Sequence, residues 1–158
     1  MRAFVQAVAA VLVFCAGVCN AAGTAVAEVP AEVAAAIKAK AAADHPTDFS
    51  LQLYVVKTET QAYLDLQTLT DDGVPSETFA EVKAEAAREH ADDYSLQLYV
   101  CRGELDAFKK LAAFTAEGVP AAVVKKILAD AAAEHPKDFS LQLYVVAQQV
   151  AAWRELNK

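Results

Sequence analysis

Apolar and polar residues alternate through the stretch FSLQLYVV at 49–56, a pattern that taken alone is typical of a β-strand. The stretch recurs as YSLQLYVC at 94–101 and again as FSLQLYVV at 139–146. No glycine, proline or asparagine follows the first copy before Leu69, and a strand would have to end in a turn before a helix could start. The pattern therefore predicts one helix of about 20 residues that begins with the motif in each copy.

On a helical wheel the apolar residues of this segment form an arc about 200° wide, broader than one partner helix requires. Phe49, Leu53 and Val56 lie close together in the arc, so we expect them to belong to the core. Cys101 stands at the position of Val56 and is predicted to be a buried, unreactive thiol. A broad arc suits a helix that contacts both its own hairpin partner and a neighbouring repeat.

The motif belongs to a unit that repeats every 45 residues. Each unit has Val-Pro near its start, then a segment rich in alanine, lysine and glutamate, which favour helix, and then the longer segment. The units span 28–72, 73–117 and 118–158. We predict an all-α protein of three tandem helical hairpins that form a small α-solenoid or bundle, because one hairpin cannot bury its apolar face alone.

The residues between the predicted helices carry cap and turn signals. Asp48, Asp93 and Asp138 precede the long helices as expected N-caps. Between units, the glycine of TDDGVP and TAEGVP suits a helix C-cap, and the proline suits a first helical turn. Alanine recurs at three positions of every short helix and predicts a close approach of another helix; these positions are 39, 41 and 42, then 84, 86 and 87, then 129, 131 and 132.

One histidine per unit could suggest a metal site: His45, His90 and His135. Each lies at the end of a short helix, where a histidine complements the helix C-terminus. Equivalent residues of stacked repeats would lie about 10 Å apart, too far to share a zinc ion whose bonds are about 2 Å long. We predict a structural role and no metal or cofactor, with a local site of His45 and Asp44 or Asp48 as the alternative.

Residues 1–27 have the composition of a secretory signal peptide. Arg2 precedes the apolar run AFVQAVAAVLVFCAGV, and AVA at 25–27 has the small-x-small pattern that signal peptidase cuts. We expect cleavage after Ala27 and an exported product, periplasmic or secreted. An uncleaved anchor is the alternative, although a membrane span needs about 20 apolar residues.

Charge and composition exclude several functions. A formal net charge of −7 makes the chain a poor partner for a phosphate backbone, so we expect no nucleic acid. Beyond residue 27 no apolar run is long enough to span a bilayer, so no stable membrane insertion is expected after cleavage. Cys101 would be the one cysteine left, which excludes an internal disulfide framework. No nucleophile elbow, phosphate-binding loop or zinc motif is present, and we predict that the protein is not an enzyme.

Two polar residue types in the long helix are candidate binding groups. Gln52, Gln97 and Gln142 lie inside the apolar arc, with Glu59, Glu104 and Gln149 one heptad later. A buried amide without a partner costs about 1–3 kcal/mol. The glutamines are therefore expected either to bond to a loop backbone or a neighbouring helix, or to line a polar groove that binds a ligand.

The second candidate is a tyrosine that recurs once per unit: Tyr54, Tyr99 and Tyr144. The helical wheel places it on the polar side, with Ser50, Gln61 and Asp65 in the first unit. These tyrosines either pack on a neighbouring repeat or form an exposed aromatic row for a protein partner, since tyrosine is enriched at binding hot spots.

The sequences HPTDFSLQLYVV and HPKDFSLQLYVV, followed by AY or AW and a leucine, resemble a short helical-hairpin repeat module of exported bacterial proteins of unassigned function. The P-x-D turn between the helices is similar to the linker of tetratricopeptide repeats. The period of 45 residues departs from the period of about 34 in that family. The resemblance implies a helical repeat and bacterial export, and it brings no catalytic residues.

Two functions follow as expectations. The first is an exported, non-enzymatic helical-repeat protein that binds another protein or an envelope component as an interaction or scaffold module, because repeats offer extended surfaces. The alternative is a periplasmic protein that binds a small molecule or metal through the polar stripe between repeats.

Overall fold

A computed structural model describes residues 28–158. The predicted signal peptide, its cleavage after Ala27 and the export that depends on it lie outside the described residues. This part of the chain forms six helices, α1 (Ala31–Asp44), α2 (Phe49–Thr68), α3 (Ser76–Glu89), α4 (Tyr94–Ala112), α5 (Ala121–Glu134) and α6 (Phe139–Leu156). Residues 28–158 contain no strand, and the all-α prediction is confirmed.

Each short helix is joined to the next long helix by the same tight connection. His45 is the C-cap of α1, and its backbone N–H donates to the Ala41 carbonyl at 3.1 Å. The backbone N–H of Asp48 then donates to the His45 carbonyl at 3.3 Å. His90 and His135 repeat both bonds, so the histidines end the short helices as predicted.

The predicted N-caps of the long helices are confirmed. In each case the aspartate carboxylate accepts from the backbone N–H three residues later, which satisfies one of the free donors of the first turn. The pairs are Asp48 with Leu51 at 2.9 Å, Asp93 with Leu96 at 2.8 Å and Asp138 with Leu141 at 2.8 Å.

The long helices stack on one another. Helix α2 packs against α4, and α4 packs against α6, while each short helix packs against the long helix of its own hairpin. The three long helices therefore form one continuous layer with the short helices beside it. This arrangement is compatible with the predicted small α-solenoid or bundle, in which every repeat contacts its sequence neighbours.

The recurrent alanines are buried at only one of the three predicted positions. Ala41, Ala86 and Ala131 are almost inaccessible, and the long helix of the same hairpin packs against this side of each short helix. The other six alanines are exposed, because residues one or two positions away point to a different side of a helix. The prediction of a three-alanine contact face is therefore wrong, and the contact uses a single alanine per helix.

The predicted core of the first long helix needs a correction. Phe49 is 75% exposed and Leu53 is 55% exposed, whereas Leu98, the equivalent of Leu53 in the second hairpin, is 7% exposed. Tyr94, the equivalent of Phe49, packs against the core formed by the first and second hairpins. The difference arises because α2 is the first long helix of the stack, with none of the described helices in front of it.

The glycines between the hairpins are not helix C-caps. The C-cap of α2 is Leu69, well before Gly73, and the C-cap of α4 is Ala113, well before Gly118. Both glycines adopt positive φ, 87° and 76°, and turn the chain towards the next Val-Pro. The prolines are the N-caps of the short helices: Pro30, Pro75 and Pro120. They therefore lie one residue before the first helical turn, which is the position that the sequence predicted for the prolines between units.

The helices of residues 28–158 are 14–20 residues long. None of these helices is both long enough and apolar enough to cross a bilayer.

Candidate functional site

The predicted polar stripe of glutamines is engaged within each hairpin. The Nε2 atom of Gln52 donates to the His45 carbonyl at 2.6 Å. Gln97 and Gln142 make the same bond to the carbonyls of His90 and His135, each at 2.7 Å, and both glutamines are buried. The amide thus holds the start of the long helix against the end of the short helix, which is the loop-backbone alternative rather than an open groove.

The glutamates of the same stripe cap the next long helix. The Glu59 carboxylate accepts from the backbone N–H groups of Tyr94 and Ser95, at 2.7 and 3.3 Å, and from the Ser95 hydroxyl. Glu104 accepts in the same way from Phe139 and Ser140, at 2.6 and 3.3 Å. An anion at a helix N-terminus is stabilised by the free N–H groups and by the helix dipole. Sequence reasoning missed this role because the partner lies 35 residues further along the chain.

Aromatic rings complete each junction between long helices. The rings of Tyr63 and Tyr94 meet edge to face with centroids 5.2 Å apart, and those of Phe108 and Phe139 do so at 5.1 Å. This geometry is the favoured one for aromatic pairs. Burial in the first of these pairs raises the pKa of the Tyr94 hydroxyl above its ordinary value.

The three candidate tyrosines do not pack on neighbouring repeats. Tyr54, Tyr99 and Tyr144 are 65%, 76% and 62% exposed, one on each long helix. Because the long helices stack in one layer, equivalent residues recur along that layer. The structure therefore brings the tyrosines into a row on the solvent side.

A leucine accompanies every one of these tyrosines. Leu51 precedes Tyr54 by three residues, a spacing that places both side chains on one side of the helix. It is 37% exposed, and Leu96 and Leu141 are similarly exposed. These leucines were not predicted as candidate binding residues, although their spacing from the tyrosines is visible in the sequence. We call the six residues the long-helix face: Leu51, Tyr54, Leu96, Tyr99, Leu141 and Tyr144.

Two shallow grooves run beside the tyrosines between adjacent long helices. The first, between α2 and α4, is lined by Tyr54, Lys57 and Ser95 among others. The second, between α4 and α6, is lined by residues at equivalent positions, including Tyr99 and Arg102. The grooves combine aromatic surface with a basic side chain and polar rims.

The histidines and the cysteine were the remaining candidate groups of the sequence. Residues 28–158 contain no group of three or more histidine, cysteine and acidic side chains close enough to hold a metal ion. Cys101 is fully buried, as predicted, and burial raises the pKa of its thiol. A buried thiol with a raised pKa is a poor nucleophile, because the thiolate is the reactive form.

Residues 28–158 thus form a stack of three helical hairpins with a row of exposed tyrosines and leucines. Comparisons of the chain with protein-family models, with curated proteins and with solved structures give no match.

Proposed function

We propose that the protein is an exported, non-enzymatic interaction module that binds another protein or an envelope component through the long-helix face. The observation that supports this proposal most directly is the exposure of one tyrosine per repeat, at 62–76%, beside a half-exposed leucine. Tyrosine supplies a large rigid contact surface and a hydroxyl at a low cost in conformational entropy.

The regular spacing favours a partner that contacts several repeats at once. A single tyrosine–leucine pair offers little area, but three pairs on stacked helices present a continuous strip. Charges of both signs border the strip, since Lys57 and Arg102 line the grooves and Asp65 pairs with Arg102 at 3.1 Å. Such a mixed border favours a protein surface over a polyanion.

The alternative, a small-molecule or metal site in the polar stripe, has less support. The amide groups of Gln97 and Gln142 are buried and donate to carbonyls of their own hairpins. The carboxylates of Glu59 and Glu104 are held by backbone N–H groups of the next helix. A ligand at the stripe would have to displace these bonds, and each displaced buried group would cost about 1–3 kcal/mol.

The test is partner capture with a matched pair of variants. A triple variant, Tyr54→Ser, Tyr99→Ser and Tyr144→Ser, removes the aromatic row at exposed positions and should leave the fold intact. The control, Ala39→Ser, Ala84→Ser and Ala129→Ser, also changes one exposed residue per repeat, on the short helices. Each protein is produced from the full sequence in a bacterial host, cross-linked in the intact cells and purified from the separated cytoplasmic and envelope fractions.

We expect a specific cross-linked partner with the native protein and with the alanine-to-serine control. We expect its yield to fall at least about tenfold with the tyrosine variant, as removal of hot-spot residues would cause. Equal capture by all three proteins would show that the long-helix face is not the binding surface. Recovery of the protein in the cytoplasm with residues 1–27 attached would contradict export.

A further inference from the structure

The junction between long helices is built twice in this chain from equivalent residues. We call the side of a repeat that contacts the following repeat at these junctions its C-face, and the side that contacts the preceding repeat its N-face. The same names are used for the equivalent sides of the first and third repeats. At the first junction the C-face supplies Glu59 and Tyr63, and the N-face supplies the backbone N–H and the ring of Tyr94. At the second junction Glu104 and Phe108 make the same two contacts with Phe139.

No other long helix of residues 28–158 covers the N-face of the first repeat. Phe49 stands at the position of Tyr94 and Leu53 at the position of Leu98, and they are 75% and 55% exposed. Exposed large apolar side chains that lie together are typical of an interaction surface. The same positions are packed in the second repeat, so this face has the shape of one half of an existing junction.

The C-face of the third repeat carries the other half. Gln149, Trp153 and Leu156 stand at the positions that Glu59, Tyr63 and Leu66 hold in the first repeat. Leu66 is buried in the core of the first junction, whereas Leu156 is 85% exposed. A third junction needs an acceptor, an aromatic ring and a leucine, and all three are present at this end.

We propose that the C-face of the third repeat docks on the N-face of the first repeat of a second copy. In this junction the Gln149 side-chain oxygen accepts from the backbone N–H of the second copy's Phe49, as Glu59 does from Tyr94. The rings of Trp153 and Phe49 then take the place of the Tyr63 and Tyr94 pair. The partner is a second copy of this chain because the two end faces are the two halves of an interface that the chain already contains.

An ion pair supports the match. At the first internal junction Arg102 reaches Asp65 across the helices at 3.1 Å. The equivalent positions at the proposed junction hold Lys57 on the N-face and Glu155 on the C-face, again a cation opposite an acid. Glu155 now pairs with Lys158 within its own chain end, and both side chains are mostly exposed, so this contact is weak and easily exchanged.

A second polar contact of the first junction could form between the same types of groups at the proposed junction. The Lys83 ammonium donates to the Leu66 carbonyl at 2.8 Å across the first junction. At the proposed junction Lys38 stands at the position of Lys83, opposite the Leu156 carbonyl. The internal junction of α4 and α6 has an uncharged residue, Leu128, at this position. At the ion pair and at this lysine contact, the two ends therefore match the first internal junction more closely than the second internal junction does, although Gln149 replaces the glutamate that both internal junctions use.

The proposed contact is heterologous, since it joins two different surfaces of identical chains. Such contacts produce rings when the rotation closes and filaments when it does not. Association should therefore rise with protein concentration and proceed beyond a dimer. This inference does not depend on the proposed function, because the two end faces share no residue with the long-helix face.

The first test is sedimentation of the purified protein, produced from the full sequence, over a range of concentrations. We expect species larger than a dimer in the native protein. Phe49→Glu blocks the N-face and Leu156→Glu blocks the C-face, and both replaced residues are so exposed that folding should be unaffected. Each variant alone should weaken association at least about tenfold. A matched control, Tyr144→Glu, changes an exposed aromatic residue outside both faces and should leave association unchanged.

Mixing the two blocked variants is the decisive step. Phe49→Glu retains an intact C-face and Leu156→Glu retains an intact N-face, so an equimolar mixture should form a heterodimer and nothing larger. A native protein that stays monomeric at all concentrations would overturn the proposal. Association that survives either substitution, or a mixture that stays monomeric, would show that copies meet through another surface or not at all.

Discussion

Leu53 and Leu98 occupy the same position in the first and second hairpins, within nearly the same peptide, yet Leu53 is 55% exposed and Leu98 is 7% exposed. The helices that carry them have similar lengths and equivalent aspartate caps. What differs is the neighbouring helix, because among the helices of residues 28–158 α4 lies between two long helices and α2 contacts one. Burial in this protein is therefore decided by the stack rather than by the hairpin, which is the behaviour expected of a solenoid.

The caps of the two helices show the same contrast. The first turn of α4 is satisfied by Asp93 from its own hairpin and by Glu59 from the preceding one. Asp48 alone caps α2 from within the described residues by a side-chain bond. Helix α4 thus receives part of its apolar cover from the first hairpin, together with two of the three side-chain bonds to its first backbone N–H groups. The stability of α4 is therefore coupled to that of α2.

The largest expected effect comes from truncating the two leucines. Leu98→Ala should lower the free energy of unfolding by about 2–5 kcal/mol, because it removes buried methyl groups and leaves a cavity. Leu53→Ala should lower it by less than about 1 kcal/mol, since more than half of that side chain is already in water. Urea denaturation of dilute protein, followed by circular dichroism, measures both values. Equal losses would mean that the first hairpin is covered in solution by a surface that the stack does not contain.

The hairpins and caps that the two helices share could be predicted from the sequence, but not that Leu53 is exposed and Leu98 is buried. The repeat of 45 residues, the uninterrupted segment after Phe49 and the aspartate before it predict the hairpins and their caps. A helical wheel assigns Phe49 and Leu53 to the core in every copy, because it treats all repeats as equal. The end of a stack breaks that equality, and periodicity within one helix carries no information about it.

A smaller effect is expected from the cap that crosses the junction. Glu59→Ala removes the acceptor of the Tyr94 and Ser95 N–H groups and should lower the free energy of unfolding by about 1 kcal/mol. Gln149→Ala changes the equivalent position of the third repeat, where the described chain offers no helix to cap, and should have almost no effect on dilute protein. Thermal and urea unfolding of the two variants and the native protein check the difference. A loss at Gln149 as large as that at Glu59 would contradict the capping role.

The candidate site was also predictable only in part, because the sequence shows which residues recur but not which backbone groups they bond to. The tyrosines were visible as a recurrent residue on the polar side of the helix, and their exposure agrees with that placement. For Gln52 the sequence predicted a loop backbone as one of the alternatives, but not the His45 carbonyl in particular. The partner of Glu59 was not visible, because it is a helix start 35 residues later. Side chains that bond to backbone groups leave no signature in residue type at the receiving position.

The smallest expected effect concerns the residue that distinguishes the middle repeat from its neighbours. Cys101 replaces a valine that the other repeats carry at Val56 and Val146, and it is fully buried. Cys101→Val should change the free energy of unfolding at neutral pH by less than about 1 kcal/mol, because Val146 already fills the equivalent, fully buried position of the third repeat.

A pH series separates the effect of thiol ionisation on stability from the effect of side-chain packing. Burial raises the pKa of Cys101 in the folded protein, so its contribution to stability is complete below the pKa of an unfolded cysteine, about 8.5, and is lost as the pH rises through the folded value. The valine variant has no such group and should lose less stability than the native protein between about pH 8 and pH 10. Urea unfolding at intervals across that range measures the two slopes, with a Val146→Ile variant as a control that keeps the thiol. If the free energies of unfolding of Cys101→Val and the native protein change in parallel with pH, the thiol has the same pKa in the folded and unfolded states. In that case α4 would gain less burial from its two neighbours than its position in the stack implies.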